Sequence, residues 1–258
     1  MMNFIRRGNG PPLLMLHGIG GSIRSWDTIA DALAAHRELV LVDLPGFGAS
    51  PPLPNVSIAT LADAVTSFLA EQGLTGIDCV GSSMGARLVL ELARRGVVGN
   101  VVSLDPGGFW QGWEVGFFGG SVALSIKLIR ALQPVLPLFT GNPVLRTVLF
   151  AQFSAHPWTI PADVALTELR TFASAPSFDP LLEQLVHGPP QEGSVSTPGR
   201  VVIGWGRRDL VCFPPQAARA MRAFPNARLH WFANCGHFPH WDSPEETVHL
   251  ILGATAAP

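Results

Sequence analysis

Three short stretches of this chain hold side chains that could do covalent chemistry. Gly81-Ser82-Ser83-Met84-Gly85 sets a serine between glycines, where an apolar run at 77–80 gives way to a helical pattern over 84–95. A tight strand-to-helix turn of this kind lifts its central side chain clear of the backbone and tolerates only small neighbours. It also places a helix N-terminus behind any negative charge that forms there. Ser83 is therefore the candidate nucleophile. Gly204-Trp205-Gly206-Arg207-Arg208-Asp209 follows the apolar run 201–203, and Cys235-Gly236-His237-Phe238 follows the run 229–232. Both lie just past expected strand C-termini, the edge at which open parallel sheets bind ligands. His237 could take the serine proton while Asp209 fixes the imidazole tautomer and stabilises the imidazolium, which is the chemistry of acyl transfer.

An oxyanion formed at Ser83 needs two N–H donors. Met84, next after the serine and first in the helix, is one. His17-Gly18-Ile19-Gly20-Gly21 leaves the first strong apolar run, 13–16, and supplies the other. Ile19 is the chosen donor, with Gly20 as the alternative. Competing residues have plainer readings. His17 precedes a glycine turn and is expected to brace it. Asp105 also ends a strand and is the rival acid, but Pro106-Gly107-Gly108 follows it, a turn its side chain could simply hold. His240 lies three residues from His237 and is expected to be structural or at the rim. No GxGxxG precedes Asp43, so it is expected to order the loop after it rather than bind a dinucleotide. Cys235 is expected to be small buried filler.

The elements that must position these residues are legible as alternation. Apolar runs at 13–16, 39–42, 77–80, 101–104, 201–203 and 229–232 are separated by helical patterns over 26–36, 58–72, 84–95, 214–224 and 244–252. This predicts an α/β chain with a mostly parallel central sheet and helices on both faces. Ser243, Pro244 and Glu246 read as the cap, first residue and capping-box partner of the last helix. Alternation fails from about 109 to 197, where amphipathic pieces at 122–132 and 162–171 are interrupted by Pro, Gly and aromatic residues. We read residues 1–108 and 198–258 as the core and 109–197 as an inserted helical cap. Trp110, Trp113, Phe117 and, from the histidine loop, Phe238 are the expected substrate contacts.

Composition narrows the classes further. Charged residues make up 14% of the 258, against about 25% in typical domains, which argues against disorder. The formal charge is −2, and no basic run could neutralise a line of phosphates, so nucleic acid is not an expected partner. Cys79, Cys212 and Cys235 are odd in number and widely spaced, suggesting neither disulfides nor a cysteine metal site. A reducing, cytoplasmic setting is expected. The apolar window 115–139 is broken by Lys127, Arg130, Pro134 and Pro137, so stable membrane insertion is not expected and the segment reads as buried or substrate-facing helix.

With these residues in place the chain resembles the α/β-hydrolases of the esterase and meta-cleavage-product hydrolase group over nearly its whole length. The match is carried by His17-Gly18, Asp43-Leu44-Pro45-Gly46-Phe47-Gly48, Gly81 to Gly85, Asp209 and Gly236-His237. The resemblance implies the α/β-hydrolase fold, a Ser-His-Asp triad, no cofactor or metal, and a cap inserted after the strand that ends near Asp105. Only about ten residues precede Pro11, so the antiparallel edge common in this group is expected to be short. The glycine- and proline-bearing loop typical of its carbon-carbon bond hydrolases is not matched by residues 18–22. A serine rather than an aspartate at the elbow disfavours epoxide hydrolysis and dehalogenation. The expected reaction is cleavage of a small apolar carboxylic ester through an acyl-enzyme on Ser83. A carbon-carbon bond hydrolase or lactonase is the alternative on the same fold, and a ligand-binding receptor retaining the triad is the alternative outside the enzymes. Substrate identity is written in the cap, which has no motif, and nothing in the sequence sets the oligomeric state.

Overall fold

The computed structural model describes residues 2–255. Seven strands form one sheet: β1 Phe4–Arg7, β2 Pro12–Leu16, β3 Glu38–Val42, β4 Asp78–Ser82, β5 Val101–Leu104, β6 Val201–Gly206 and β7 Arg228–Phe232. Their spatial order is β1-β3-β2-β4-β5-β6-β7, with only β1 antiparallel. Helices α1 Ala30–Ala34, α2 Ile58–Glu71 and α3 Met84–Arg94 fall between the early strands. Between β5 and β6 come α4 Trp113–Ala131, α5 Leu136–Gly141, α6 Pro143–Phe150, α7 Ala162–Ser174 and α8 Phe178–His187. The chain closes with α9 Gln216–Ala223, α10 Pro239–Asp242 and α11 Pro244–Ala254.

Strand residues alternate between two apolar layers because successive side chains point to opposite faces. Leu14, Leu16, Val40, Val42 and Cys79 pack with Leu61 and Val65 of α2 and Leu88 and Leu92 of α3. Leu13, Met15, Leu39, Leu41 and Val80 face Trp26, Leu33 of α1 and Ile251 of α11. The first layer continues without a break into the α4–α8 insertion through Phe118, Val122, Leu169 and Leu181.

The register aligns Leu16 with Gly81, Ser82 with Leu104, Leu104 with Gly204 and Gly206 with Phe232, so five parallel strands end at one edge. From β2 the chain moves first to β3 on one side and then to β4 on the other. Strand order therefore reverses between β2 and β4, the kind of switch point that leaves a crevice beyond the strand ends.

Two local expectations change. The helix expected over 26–36 begins earlier and breaks in two. Ser22 caps a 3₁₀ turn, Ile23–Trp26, by accepting the Arg24 N–H, and α1 follows it separately. α11 starts at Pro244 as expected, but Ser243 makes no capping hydrogen bond there, and Glu246 reaches His230 Nε2 on β7 at 2.9 Å instead. The residue pattern alone does not show β1, because its short Phe-Ile-Arg-Arg run on an exposed edge has no apolar alternation. It is the short antiparallel edge that the brief N-terminal segment implied.

Candidate active site

The elbow at Ser83 is tight because α3 lies directly on the strands. A Cβ on Gly81 would stand 2.2 Å from Gly85 O, and one on Gly85 would stand 2.1 Å from Leu16 O, so neither position admits a side chain. Between them Ser83 adopts φ 57° and ψ −115°, a conformation unfavourable for any residue with a Cβ. The Ser83 N–H bonds to Leu104 O at 2.9 Å, and its carbonyl accepts from Arg87. These bonds hold the strained turn, which aims Oγ at the strand-end crevice.

His237 meets it there. Nε2 of His237 is 2.7 Å from Ser83 Oγ, and Nδ1 is 2.8 Å from Asp209 Oδ2. The carboxylate is oriented from its other oxygen, Oδ1, which accepts the N–H groups of Val211 at 2.7 Å and Cys212 at 2.9 Å. The histidine loop is tied to the insertion: His237 N–H donates to Phe153 O, and Asp242 accepts from Gly236, Ala155 and Ser154. All three side chains are buried.

Asp105, the rival acid, is excluded from this contact. Its Oδ1 accepts the Gly206 N–H at 2.7 Å, across to β6 rather than into the Pro106-Gly107-Gly108 turn it was expected to hold. Burial, and then the neighbouring Asp209 charge, push its carboxyl well above the usual carboxylate range.

The oxyanion loop sits opposite. Gly18 packs on the nucleophile, since a Cβ there would lie 3.2 Å from Ser83 Cβ. Gly21 N–H closes onto Gly18 O at 3.1 Å, leaving Ile19 at the turn and beside Ser83 in the crevice. The N–H groups of Ile19 and Met84 make no hydrogen bond among the described residues. Gly20 instead faces Phe172 and Phe178. His17 braces the loop as expected: Nδ1 lies 2.7 Å from Gly18 O and Nε2 accepts the Leu44 N–H, while burial lowers its pKa. Asp43 orders two loops at once, accepting from Ile23 and Ala49. His240 is buried against Trp26 and Trp241, not at a rim, and burial depresses it to about 3. Cys235 is buried, its thiol pushed up to about 12.

Asp209, Cys212 and His237 bring ligand-type atoms within 4.8 Å of one another. They fit a metal poorly. Asp209 and His237 are already spent on each other, and burial raises the Cys212 thiol well above its ordinary value, whereas a metal binds thiolate.

A narrow apolar pocket of about 20 Å³ opens on Ser83 and His237. Of the four expected substrate contacts the structure brings only Phe238 to it. Trp110 is buried in a stack on Phe118, with ring centroids 4.3 Å apart. Trp113, 70% exposed, and Phe117 stand on the outer side of α4 against Phe213. The helix turns Phe118, Val122, Ile126 and Ile129 to the pocket instead, where Phe153, Phe172 and Phe178 meet them. Spacing did contain this stripe at i, i+4, i+8 and i+11. α4 is apolar on its other face too, so periodicity could not choose between them.

Comparison with known proteins bears on the fold and the family. At 28% identity over 97% of this chain, it is similar to the dihydrolipoyllysine-residue acetyltransferase component of the acetoin cleaving system of Cupriavidus necator, spanning 65% of that protein's length. It is 27% identical, over 93% of this chain and 86% of the relative, to 2-hydroxy-6-oxononadienedioate/2-hydroxy-6-oxononatrienedioate hydrolase 2 of Pseudomonas putida. A thermophilic esterase from Thermogutta terrifontis shares the fold with a TM-score of 0.75 at 19% identity, covering 98% of this chain and 92% of the esterase. The sequence model of the Alpha/beta hydrolase family matches residues 13–250, and the chain belongs to that family.

Proposed function

We propose that the chain is a serine hydrolase of small, apolar carboxylic esters. The observation that carries this reading is the relay Ser83 Oγ, His237 Nε2, His237 Nδ1, Asp209 Oδ2, with contacts of 2.7 and 2.8 Å, opening into a pocket lined by no acidic or basic side chain except the imidazole of His237. Neutral His237 takes the Ser83 proton as Oγ attacks the ester carbonyl. Asp209 keeps the proton on Nδ1 and stabilises the imidazolium. The Ile19 and Met84 N–H groups receive the oxyanion. The imidazolium protonates the departing alcohol. Water, activated by the same histidine, then returns Ser83 and frees the acid.

The Pseudomonas putida relative is named for the hydrolysis of a dioate. A carboxylate-bearing substrate entering this pocket would shed its water without gaining a cation from its wall: no Lys or Arg lines it, Arg87 is buried on Pro189 O, Arg130 is paired with Asp179, and Lys127 is exposed outside the lining. This favours ester over carbon-carbon cleavage of an acidic substrate. The pocket is too narrow to take much beyond a water-sized guest as it stands, so substrate entry requires the α4 side chains to yield.

Labelling with a fluorophosphonate, followed by peptide mass spectrometry, tests the nucleophile, and the adduct is expected on Ser83. A chain-length series of neutral esters tests the pocket. Each added CH₂ contributes about 0.8 kcal/mol, so kcat/KM should rise about fourfold per methylene until the pocket is full. Highest turnover on a carboxylate-bearing ester, with indifference to chain length, would overturn the apolar assignment. Thermal stabilisation by ligands with no turnover of any ester would favour the receptor.

A further inference from the structure

A second, smaller cavity lies behind the oxyanion loop, separated from the apolar pocket by Ile19, Phe172 and Phe238, which border both. Its wall is polar. Seven buried side-chain atoms among the described residues have no hydrogen-bond partner, and five of them belong to residues on this one wall: Trp26 Nε1, Ser82 Oγ, Glu168 Oε1, His240 Nδ1 and Trp241 Nε1. Protein interiors seldom keep such groups unpaired, and a cluster of them around one void marks a bound polar guest. The void has room for a water-sized molecule. Two fixed indole donors disfavour a cation, and the carboxyl disfavours an anion. A neutral molecule that both donates and accepts fits this set, which is water.

The wall residues come from the oxyanion loop, the nucleophile strand, the histidine loop and the insertion. Ser82 precedes the nucleophile, and His240 and Trp241 follow His237. Glu168 comes from α7 of the insertion and is 2% exposed. Its Oε2 accepts from Ser25 Oγ at 3.1 Å, and Ser25 Oγ in turn accepts the Ser22 N–H at 3.1 Å. Ser22 directly follows Gly21, whose N–H closes the Gly18 turn. A continuous path thus runs from the insertion to the loop that presents Ile19.

We propose that Glu168 is a positioning residue for the oxyanion loop, acting through Ser25 and through buried water in the cavity that it borders with Trp26, Ser82, His240 and Trp241. The Ser25 hydrogen bond favours the charged carboxylate but burial opposes it more strongly, so α7 docks best while the carboxyl carries its proton. Burial raises Glu168 to about 8, with no cation in contact to offset it. The titratable groups around it are His17 and His240, both held neutral by burial, and the Arg24–Asp27 pair, closed on itself at 2.6 Å. Against a solvent-exposed value near 4.5, docking of α7 takes up one proton. The docked population relative to the undocked falls tenfold per pH unit from that value up to about 8 and is level above it.

Glu168→Gln keeps the shape and both hydrogen bonds but has no charge to acquire. It should retain turnover within about threefold at neutral pH. Any docking-linked fall in wild-type kcat should occur as pH rises toward about 8 and level off above it, while Glu168→Gln shows no such fall. Glu168→Leu should lower kcat by about tenfold to a hundredfold with little change in KM, the signature of a displaced catalytic loop. The kinetic arms rest on the ester-hydrolase reading, so hydrogen exchange supplies an arm free of it. Corrected for intrinsic rates, amides 19–25 of the wild type should exchange faster at about pH 9 than at about pH 6, and those of Glu168→Gln should not. A crystal structure should show a water within hydrogen-bond distance of Glu168 Oε1. A dry cavity, or exchange and pH profiles identical in the wild type and Glu168→Gln, would overturn the proposal.

Discussion

On the core side of the pocket a single methyl group is too much: a Cβ on Gly81 or Gly85 would lie 2.2 or 2.1 Å from backbone oxygen. On the insertion side, a Cβ on Gly116 or Gly120 of α4 would meet nothing within 4 Å. The same contrast runs through the polar groups. Ser83, His237, Asp209 and His17 each have named partners at 2.7 to 3.0 Å. α4 instead presents apolar side chains both to the pocket and to solvent, including Leu124 at 69% and Leu128 at 49% exposure. Chemistry needs reacting atoms fixed to fractions of an ångström. Reception of an apolar chain needs only surface of the right character, and many sequences supply that.

The largest effects should therefore come from the core side. Ser83→Ala removes the attacking atom while leaving its neighbours in place. Loss of a triad serine costs on the order of 10⁶ in a protease, and a drop of several orders of magnitude in kcat is expected here. The two buried carboxyls sharpen the point. Asp209→Asn should cost about 10⁴ in turnover, because an amide can hold His237 but cannot stabilise its charged form. Asp105→Asn should cost less than about tenfold. Burial disfavours a charge on its carboxyl, an amide oxygen can take over the Gly206 N–H, and asparagine tolerates the φ of 50° found there. Steady-state kinetics on purified variants decides this, and comparable losses from both would show that Asp105 takes part in the charge relay.

The difference in precision also explains what could be read from the sequence. Gly81, Ser83, Gly85, Asp209 and His237 were legible because close packing and reacting geometry permit few residue types at those positions. Asp43 and His17 were legible for the same reason, as braces beside glycine turns. The outer and inner faces of α4 were not. Trp113 and Phe117 were singled out for size and aromaticity, yet they lie outside the pocket, while the smaller Val122 and Ile126 line it. β1 was legible only through the family resemblance, because an edge strand with an exposed face carries no apolar period. Glu168 gave no sign at all. Its environment comes from Ser25 and His240, each more than 70 residues away in the chain, and only the folded arrangement brings them together.

The smallest expected effect tests the insertion side alone. Ile126, 2% exposed, lines the pocket, whereas Leu124, two residues earlier, is 69% exposed on the opposite side of the same helix. Ile126→Ala removes three carbons from the wall, and at about 0.8 kcal/mol for each CH₂ in contact a short ester should lose about tenfold or more in kcat/KM. Longer esters should lose less, because their added carbons refill the space, so the optimum chain length should shift upward. Core truncation also costs about 2 to 5 kcal/mol of stability, so rates must be compared well below the variant's melting temperature. Leu124→Ala should change neither kcat/KM nor chain-length preference by more than about twofold, since an exposed side chain has little burial to lose. If the two variants behave alike, the pocket wall is not the Phe118–Ile129 stripe, and substrate enters along the outer face of α4 where Trp113 and Phe117 stand.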